Sequence, residues 1–460
     1  MTDGQRPGVT VRDERNEAPE RDTAATRSAV TRRGVLAVAG ATLAAGCGGL
    51  GGFGGGTTEL DSSALDDLGA DGPAVRRPFP VEIADAHLEG ARERVESALA
   101  SAPLPFDTDE IPNGAMRAEL TECAESARER LAEADAADAP RDRLEALADA
   151  RESARVVAGA WAAIEGDLAP AVVHRASTDL RTEINETREE WEYVGDDPVR
   201  ALFAHDAAEE LLGVADGQAD VPPAAEWPAT TAYRVGEAAG EVAYARAHLA
   251  DARHLGGQFR DSLATERSLR DTFEGAHTAL TETVEARLND LPATDDVDGA
   301  TDLVDADIED GSAAARALRR LQWWLPDREA IGARHADLAD GVLDRHEWLA
   351  GLDGFAVLRD RIESGERFTV GSVTDLRERR AAAVEAVETA LAESENRLLA
   401  RGACARPAAA IESTDRDLAR QSGEVPVRFL RSEIGEYAAA AAVAEAVPDA
   451  CSETLAALDG

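Results

Sequence analysis

Met116-Arg117-Ala118-Glu119-Leu120-Thr121-Glu122-Cys123-Ala124-Glu125-Ser126-Ala127-Arg128-Glu129-Arg130-Leu131 is the stretch that decides the fold. Met116, Leu120, Cys123, Ala127 and Leu131 recur at steps of 4, 3, 4 and 4 residues, the spacing of one face of an α-helix. Leu144, Leu147, Ala154, Val157, Trp161, Ile164 and Leu168 carry the same periodicity, and so do Val373, Leu376, Val384, Val387 and Leu391. Helix starts are marked as well. Asp197-Pro198 reads as an N-cap followed by a first helical position where the missing N–H costs nothing. Asn113 can cap after Pro112, and Ser372 with Asp375 resembles a capping box with Asp at the place Glu or Gln usually holds. No alternating β-branched run is long enough for a strand, and Phe368-Thr369-Val370 is too brief.

The expectation is an all-α protein of ten to twelve helices in one or two antiparallel bundles. Breaks are expected near 102–112, 136–140, 167–170, 195–198, 216–228, 255–257, 290–311, 365–371, 403–407 and 421–426. The organisation reads as a signal over 1–46, a flexible tether over 47–80, an N-terminal bundle over 81–290, an acidic linker over 291–310 and a C-terminal bundle over 311–460. No repeat of about 30 to 45 residues recurs, which disfavours a solenoid.

Composition limits the core. Hydrophobic residues make up 44% of the chain but aromatics only 4%, and much of the remainder is alanine. Small side chains bury little area each, so the core must be spread along many helices. Asp and Glu number 90 against 48 basic residues, all of them arginine, for a net charge of −42. Such a charge repels itself at low salt, whereas at about 1 M salt the Debye length is only about 3 Å. Loss of lysine, abundant Asp and Glu, and alanine-rich helices together resemble proteins of haloarchaea; an acidic protein from a GC-rich mesophile is the alternative. The charge argues against nucleic acid as a partner, since that needs a basic stripe.

The N-terminus is an address. Thr31-Arg32-Arg33-Gly34-Val35-Leu36 resembles the twin-arginine export signal, in which Arg32 and Arg33 are the signature pair. The weakly apolar Gly34–Gly46 segment is shorter than the about 20 residues a membrane span needs and suits a signal core. It ends in Leu43-Ala44-Ala45-Gly46-Cys47, which resembles a lipobox, with Ala44 at the position where the family has a large aliphatic residue. The resemblance covers residues 27–56 only. It implies a body folded before export by the twin-arginine translocase. It also implies lipidation of the Cys47 thiol, with Gly48–Gly56 as tether, and a place on the extracellular face of the cytoplasmic membrane. Cleavage near Cys47 without lipidation, releasing a soluble protein, stays open beside it. Gly46-Cys47-Gly48-Gly49-Leu50-Gly51 matches G-x-G-x-x-G but lacks the strand and helix that a dinucleotide site requires.

The remaining candidates are sparse. If 407–421 and 427–447 form an antiparallel hairpin, Cys404 and Cys451 lie at the same end and are a candidate disulfide, contributing roughly 4 kcal/mol in the chain-entropy model. Cys123 sits in an apolar stripe as a small hydrophobe. Glu274-x-x-His277 and Asp251-x-x-His254 echo a di-iron signature. With a turn at Gly256-Gly257, however, the two histidines would stand roughly 30 Å apart. His248, Asp251 and His254 share one helical face, as do His205 and Glu209, and both read as solvated faces rather than metal sites. Thr294-x-Asp296-x-Asp298-Gly299, with Asp305 at the twelfth place, is a degenerate EF-hand-like loop. No metal and no cofactor is expected. Trp323, Trp324 and Trp348 form the densest aromatic cluster, read either as packed centre or as a binding patch. Asn185-Glu186-Thr187 is a candidate glycosylation site. H-E-x-x-H, G-x-S-x-G, P-loop, C-x-x-C and imelysin-like G-x-H-x-x-E patterns are absent. The expectation is a non-enzymatic envelope lipoprotein that binds or scaffolds an envelope partner. Solute or metal capture for a transporter is the second reading, and a helical enzyme the third.

Overall fold

Asn113, Asp197 and Ser372 start helices in the way their side chains dictate. In a computed structural model of the chain, Asn113 accepts from the Ala115 and Met116 amides at 3.1 and 3.4 Å, and Asp197 accepts from the Arg200 amide at 2.7 Å just ahead of Pro198. Ser372 accepts from the Asp375 amide at 3.2 Å while the Asp375 carboxylate accepts from the Gly371 amide at 2.7 Å, so the shorter acid reaches one residue further back than a capping box requires. The structure describes residues 59–65, 68, 72–227, 231–291, 300–326, 331 and 337–460. Arg32, Arg33, Cys47 and Thr294–Gly299 lie outside the described residues.

The protein is all-α. Twelve helices are present among the described residues: α1 (Asp85–Ala100), α2 (Gly114–Ala136), α3 (Pro140–Glu165), α4 (Pro170–Glu189), α5 (Pro198–Gln218), α6 (Ala232–Asp261), α7 (Arg270–Asn289), α8 (Ala313–Trp324), α9 (Leu338–Glu363), α10 (Val373–Glu393), α11 (Arg397–Ala419) and α12 (Arg431–Asp459). Two short antiparallel ladders accompany them: β1 (Glu59–Asp61) with β4 (Glu424–Pro426), and β2 (Val194–Gly195) with β3 (Arg267–Ser268). None of the described helices is long and apolar enough to cross a membrane.

Alanine and glycine set how closely these helices approach. α3 and α6 meet through Gly159, Gly236 and Gly240; a Cβ on Gly236 would stand 2.5 Å from the Val156 carbonyl oxygen and 2.9 Å from the Ala160 nitrogen. Backbone touches backbone there, so dense packing replaces the large side chains this core lacks. α12 plays the same part in the C-terminal half, with Ala438–Ala442 all buried and α8, α9, α10 and α11 packed around it. α5 is buried along Ala201–Glu209 and touches α6 on one side and α9 on the other. One apolar core therefore runs through both halves.

Four expectations are corrected. The chain does not turn at Gly256-Gly257, for α6 runs through to Asp261. Gly256 instead makes room for Trp191, whose ring would lie 2.6 Å from a Cβ. The chain does not break at 403–407 either: α11 spans Pro407, which is buried, and the break falls at Ser394–Asn396. Burial among packed helices outweighs the roughly 3 kcal/mol a mid-helix proline costs. α7 packs on α9 and α12, so the divide in packing falls between α6 and α7, ahead of the acidic stretch. Within that stretch Leu303, Val304 and Ile308 are buried rather than hydrated. Finally, the stretch ending at residue 80 is not free tether. Leu60, Leu65 and Leu68 are in the core and β1 is paired, making residues from 59 onward a strap on the body.

Candidate functional site

The strap ends in Pro73-Ala-Val-Arg76-Arg77-Pro78, where prolines hold the chain extended and aim Arg77 inward. Its Nε and Nη2 donate to the two carboxylate oxygens of Asp206 on α5, both at 3.1 Å, and Nη1 donates to Glu347 on α9 at 2.7 Å. One guanidinium thus joins the strap to both halves of the body. Burial would depress it, but Asp206 and Glu347 hold it above the usual arginine range. Burial pushes Asp206 up to about 6 against the pull of Arg77, and raises Glu347. Asp344, one turn of α9 from Asp340, is pushed up to about 7 by burial and then by Asp340 and Glu347. Burial thus raises all three carboxyls, yet among the described residues Asp206 and Glu347 close on Arg77 as an ionic lock.

Beside it lies a second buried network. Glu209 accepts from the Tyr193 hydroxyl and from the Ala339 and Asp340 amides at 3.3 and 2.8 Å, so α5 supplies the N-terminal cap of α9. Burial raises Glu209 to about 8 in spite of these donors. His205, expected on a solvated face with Glu209, is buried instead. Trp191 Nε1 donates to its Nδ1 at 3.2 Å and its Nε2 donates to the Val194 carbonyl at 2.9 Å, fixing a neutral imidazole that burial depresses to about 4.

His248, Asp251 and His254 are also misread as solvated. His248 and Asp251 are buried against the N-terminal helices. His87 of α1 bonds Asp251 at 2.6 Å and stacks on His254 with centroids 4.0 Å apart, and His254 Nε2 accepts from the Ala84 amide at 3.1 Å. His248 meets the Tyr244 ring edge-on, and both its ring nitrogens are buried without a hydrogen-bond partner. Glu274, by contrast, is exposed beside Arg270. Among the described residues no group of three or more His, Cys, Asp or Glu side chains could hold a metal ion.

The tryptophan cluster divides. Trp324 is buried under the guanidiniums of Arg320 and Arg406, 5.6 and 4.7 Å from its ring, and Trp348 is half-buried under Arg345 at 4.9 Å. Trp323 is 83% exposed and borders a cleft of about 280 Å³ lined also by Trp324, Arg320, Arg406 and Ser413. The candidate patch is therefore one exposed indole with an arginine rim. Cys404 and Cys451 lie inside α11 and α12, buried and interacting, but as free thiols rather than a bridge; burial raises them to about 12 and about 11. Cys123 is partly buried in a smaller apolar cluster that includes Phe106 and Leu120. Asn185 is exposed on α4, while Thr187 two places on is buried and donates to the Glu183 carbonyl.

Sequence reasoning missed Arg77, Asp206 and Glu347. The available signal was an arginine pair between prolines in an otherwise acidic chain. Residues 86–266 match a family model described as a domain of unknown function (DUF8262), and residues 270–456 match a second, also described as a domain of unknown function (DUF8264). The junction of the two falls between α6 and α7, where the packing also divides. No curated protein and no solved structure matches the chain.

Proposed function

We propose that this chain is an exported lipoprotein of a halophile, fastened to the outer face of the cytoplasmic membrane through Cys47, whose helical body binds or scaffolds a partner at the cell envelope. The address in Thr31–Cys47 and the lysine-free, acidic composition motivate the placement. The strap supports it physically. A tether that ended in loose chain would leave the body free to tumble, whereas one that runs into β1 and Arg77 passes directly into the core.

The observation that carries the binding role is Trp323. In a chain whose aromatics are scarce, an indole 83% exposed beside two arginines has the composition of an interface anchor. Arg320 is paired with Glu436, and Arg406 on the same rim favours a partner with an acidic surface. Capture of envelope proteins on the immobilised full chain tests this. Trp323→Ala should weaken capture by roughly thirtyfold, the about 2 kcal/mol of an anchor tryptophan, while leaving the melting temperature unchanged. Undiminished capture by the variant, or a turnover activity in the purified protein, would remove the reading.

A further inference from the structure

Among the described residues, four arginines of this acidic protein stand without a hydrogen-bond or ion-pair partner. Arg94 of α1, Arg151 and Arg155 of α3, and Arg246 of α6 line one cleft of about 700 Å³. Among the described residues none of the four donates a hydrogen bond or forms an ion pair, although Arg77, Arg287, Arg361 and Arg380 elsewhere each engage a carboxylate at close range. Glu93 is the one acid on the cleft wall. The rest of the lining is small, Gly90, Ala98 and Ala243 with the serines Ser97 and Ser101.

This arrangement opposes folding. Arg151 and Arg155 are like charges four apart on one helix, which is itself unfavourable. Arg151 is pushed down to about 10, first by burial and then by Arg94 and Arg246, with only Asp251 countering. Arg155 is lowered by burial and by Arg246. In a chain with nearly twice as many acids as bases, a carboxylate facing these positions would have been easy to supply. Arg94, Arg155 and Arg246 are exposed and Arg151 is half-buried, so their charge faces solvent and is open to a ligand that enters the cleft.

We infer that the cleft between α1, α3 and α6, lined by Arg94, Arg151, Arg155 and Arg246, binds a phosphate-bearing anion. Guanidinium forks match phosphate oxygens in bidentate geometry, and several of them converging favour a ligand with at least two negative charges. A monovalent ion such as chloride gains no fork geometry, so a multivalent phosphate outcompetes it in high salt. The volume exceeds what one inorganic phosphate fills, leaving room for an organic phosphate or a phospholipid headgroup. The inference rests on the reading of the body as a binding module, and is independent of Cys47 and of Trp323.

Calorimetric titration of the full chain in high-salt buffer with pyrophosphate and with inorganic phosphate tests it, together with flotation on vesicles of phosphatidylglycerol against phosphatidylcholine. Saturable binding of pyrophosphate, tighter than phosphate, is expected. Flotation on phosphatidylglycerol alone assigns the occupant to a headgroup, and binding without flotation assigns it to a solute. The Arg151→Gln, Arg246→Gln double variant should bind at least about tenfold more weakly. It should melt no lower than the parent, because among the described residues neither arginine makes a hydrogen bond or an ion pair; a misfolded variant would melt lower. Equal affinity in parent and variant, or no preference for phosphate anions over chloride and for anionic over neutral vesicles, would overturn the site. Trp323-dependent partner capture with no anion binding would sink this cleft and leave the binding reading standing.

Discussion

Replacing Arg77 by alanine removes the three hydrogen bonds by which the strap holds Asp206 and Glu347, leaving Asp206 without its cation and Glu347 with Arg406 alone. Breaking a buried pair from one side costs about 3–5 kcal/mol. The Arg77 side chain is 28% exposed and the carboxyls can take up protons, so the lower bound of about 3 kcal/mol applies. An unfolding entropy of about 2.1 cal/mol/K per residue over the roughly 400 residues of Gly56–Gly460 converts this to a fall of about 4 °C in Tm. The pH dependence gives the mechanism away. Asp206 already titrates at about 6 in the folded chain, above its ordinary value. A carboxyl raised on folding contributes stability at low pH, and that contribution is lost as pH rises through the folded pKa. Without Arg77 both carboxyls move higher still, so the loss continues above pH 6. The Tm deficit measured by differential scanning calorimetry at fixed high salt should therefore be largest near pH 8 and shrink near pH 5. A deficit equal at both, or no deficit, would refute the lock.

Other consequences follow from the same packing and charges. Glu209 at about 8, Asp344 and Glu152 at about 7, and Asp353 at about 6 are all raised mainly by burial, so the parent protein should lose thermal stability steadily between about pH 6 and pH 9 in constant salt; a flat or rising profile would contradict their burial. Within α6, Gly236→Ala should destabilise by about 1–3 kcal/mol because its Cβ meets α3 backbone, whereas Gly257→Ala, with open space around it, should stabilise by about 0.5–1 kcal/mol, both read by denaturant titration. Cys404 and Cys451 should resist maleimide in the folded protein and react together on denaturation; fast labelling of the native chain would show that α11 and α12 open locally.

The helices were legible because their signals are local. The 116–131 stripe and the side-chain caps at Asn113, Asp197 and Ser372 need only neighbours along the chain, and those elements stand where the pattern puts them. Gly256 and Pro407 misled because each answers to a partner distant in sequence, Trp191 in one case and the helices packed against α11, chiefly α12, in the other. The buried His205–Glu209 and His248–Asp251 faces misled for a different reason. Polar residues at helical spacing read as solvated unless the donors that satisfy them are known, and Tyr193, Ala339, Asp340 and His87 come from other elements. The arginine cleft was invisible for the same reason, since Arg94, Arg151 and Arg246 come from three helices and only the Arg151–Arg155 repeat hints at it.

We propose that a folded helical body leaves the cytoplasm and stays fastened by Cys47. Intact-mass analysis of the chain recovered from its native cells, membrane and soluble fractions apart, tests it most directly. The expected species is a membrane-associated chain beginning at Cys47 and heavier than its polypeptide by a lipid modification. An unmodified chain beginning at Met1 in the cytosolic fraction would contradict it.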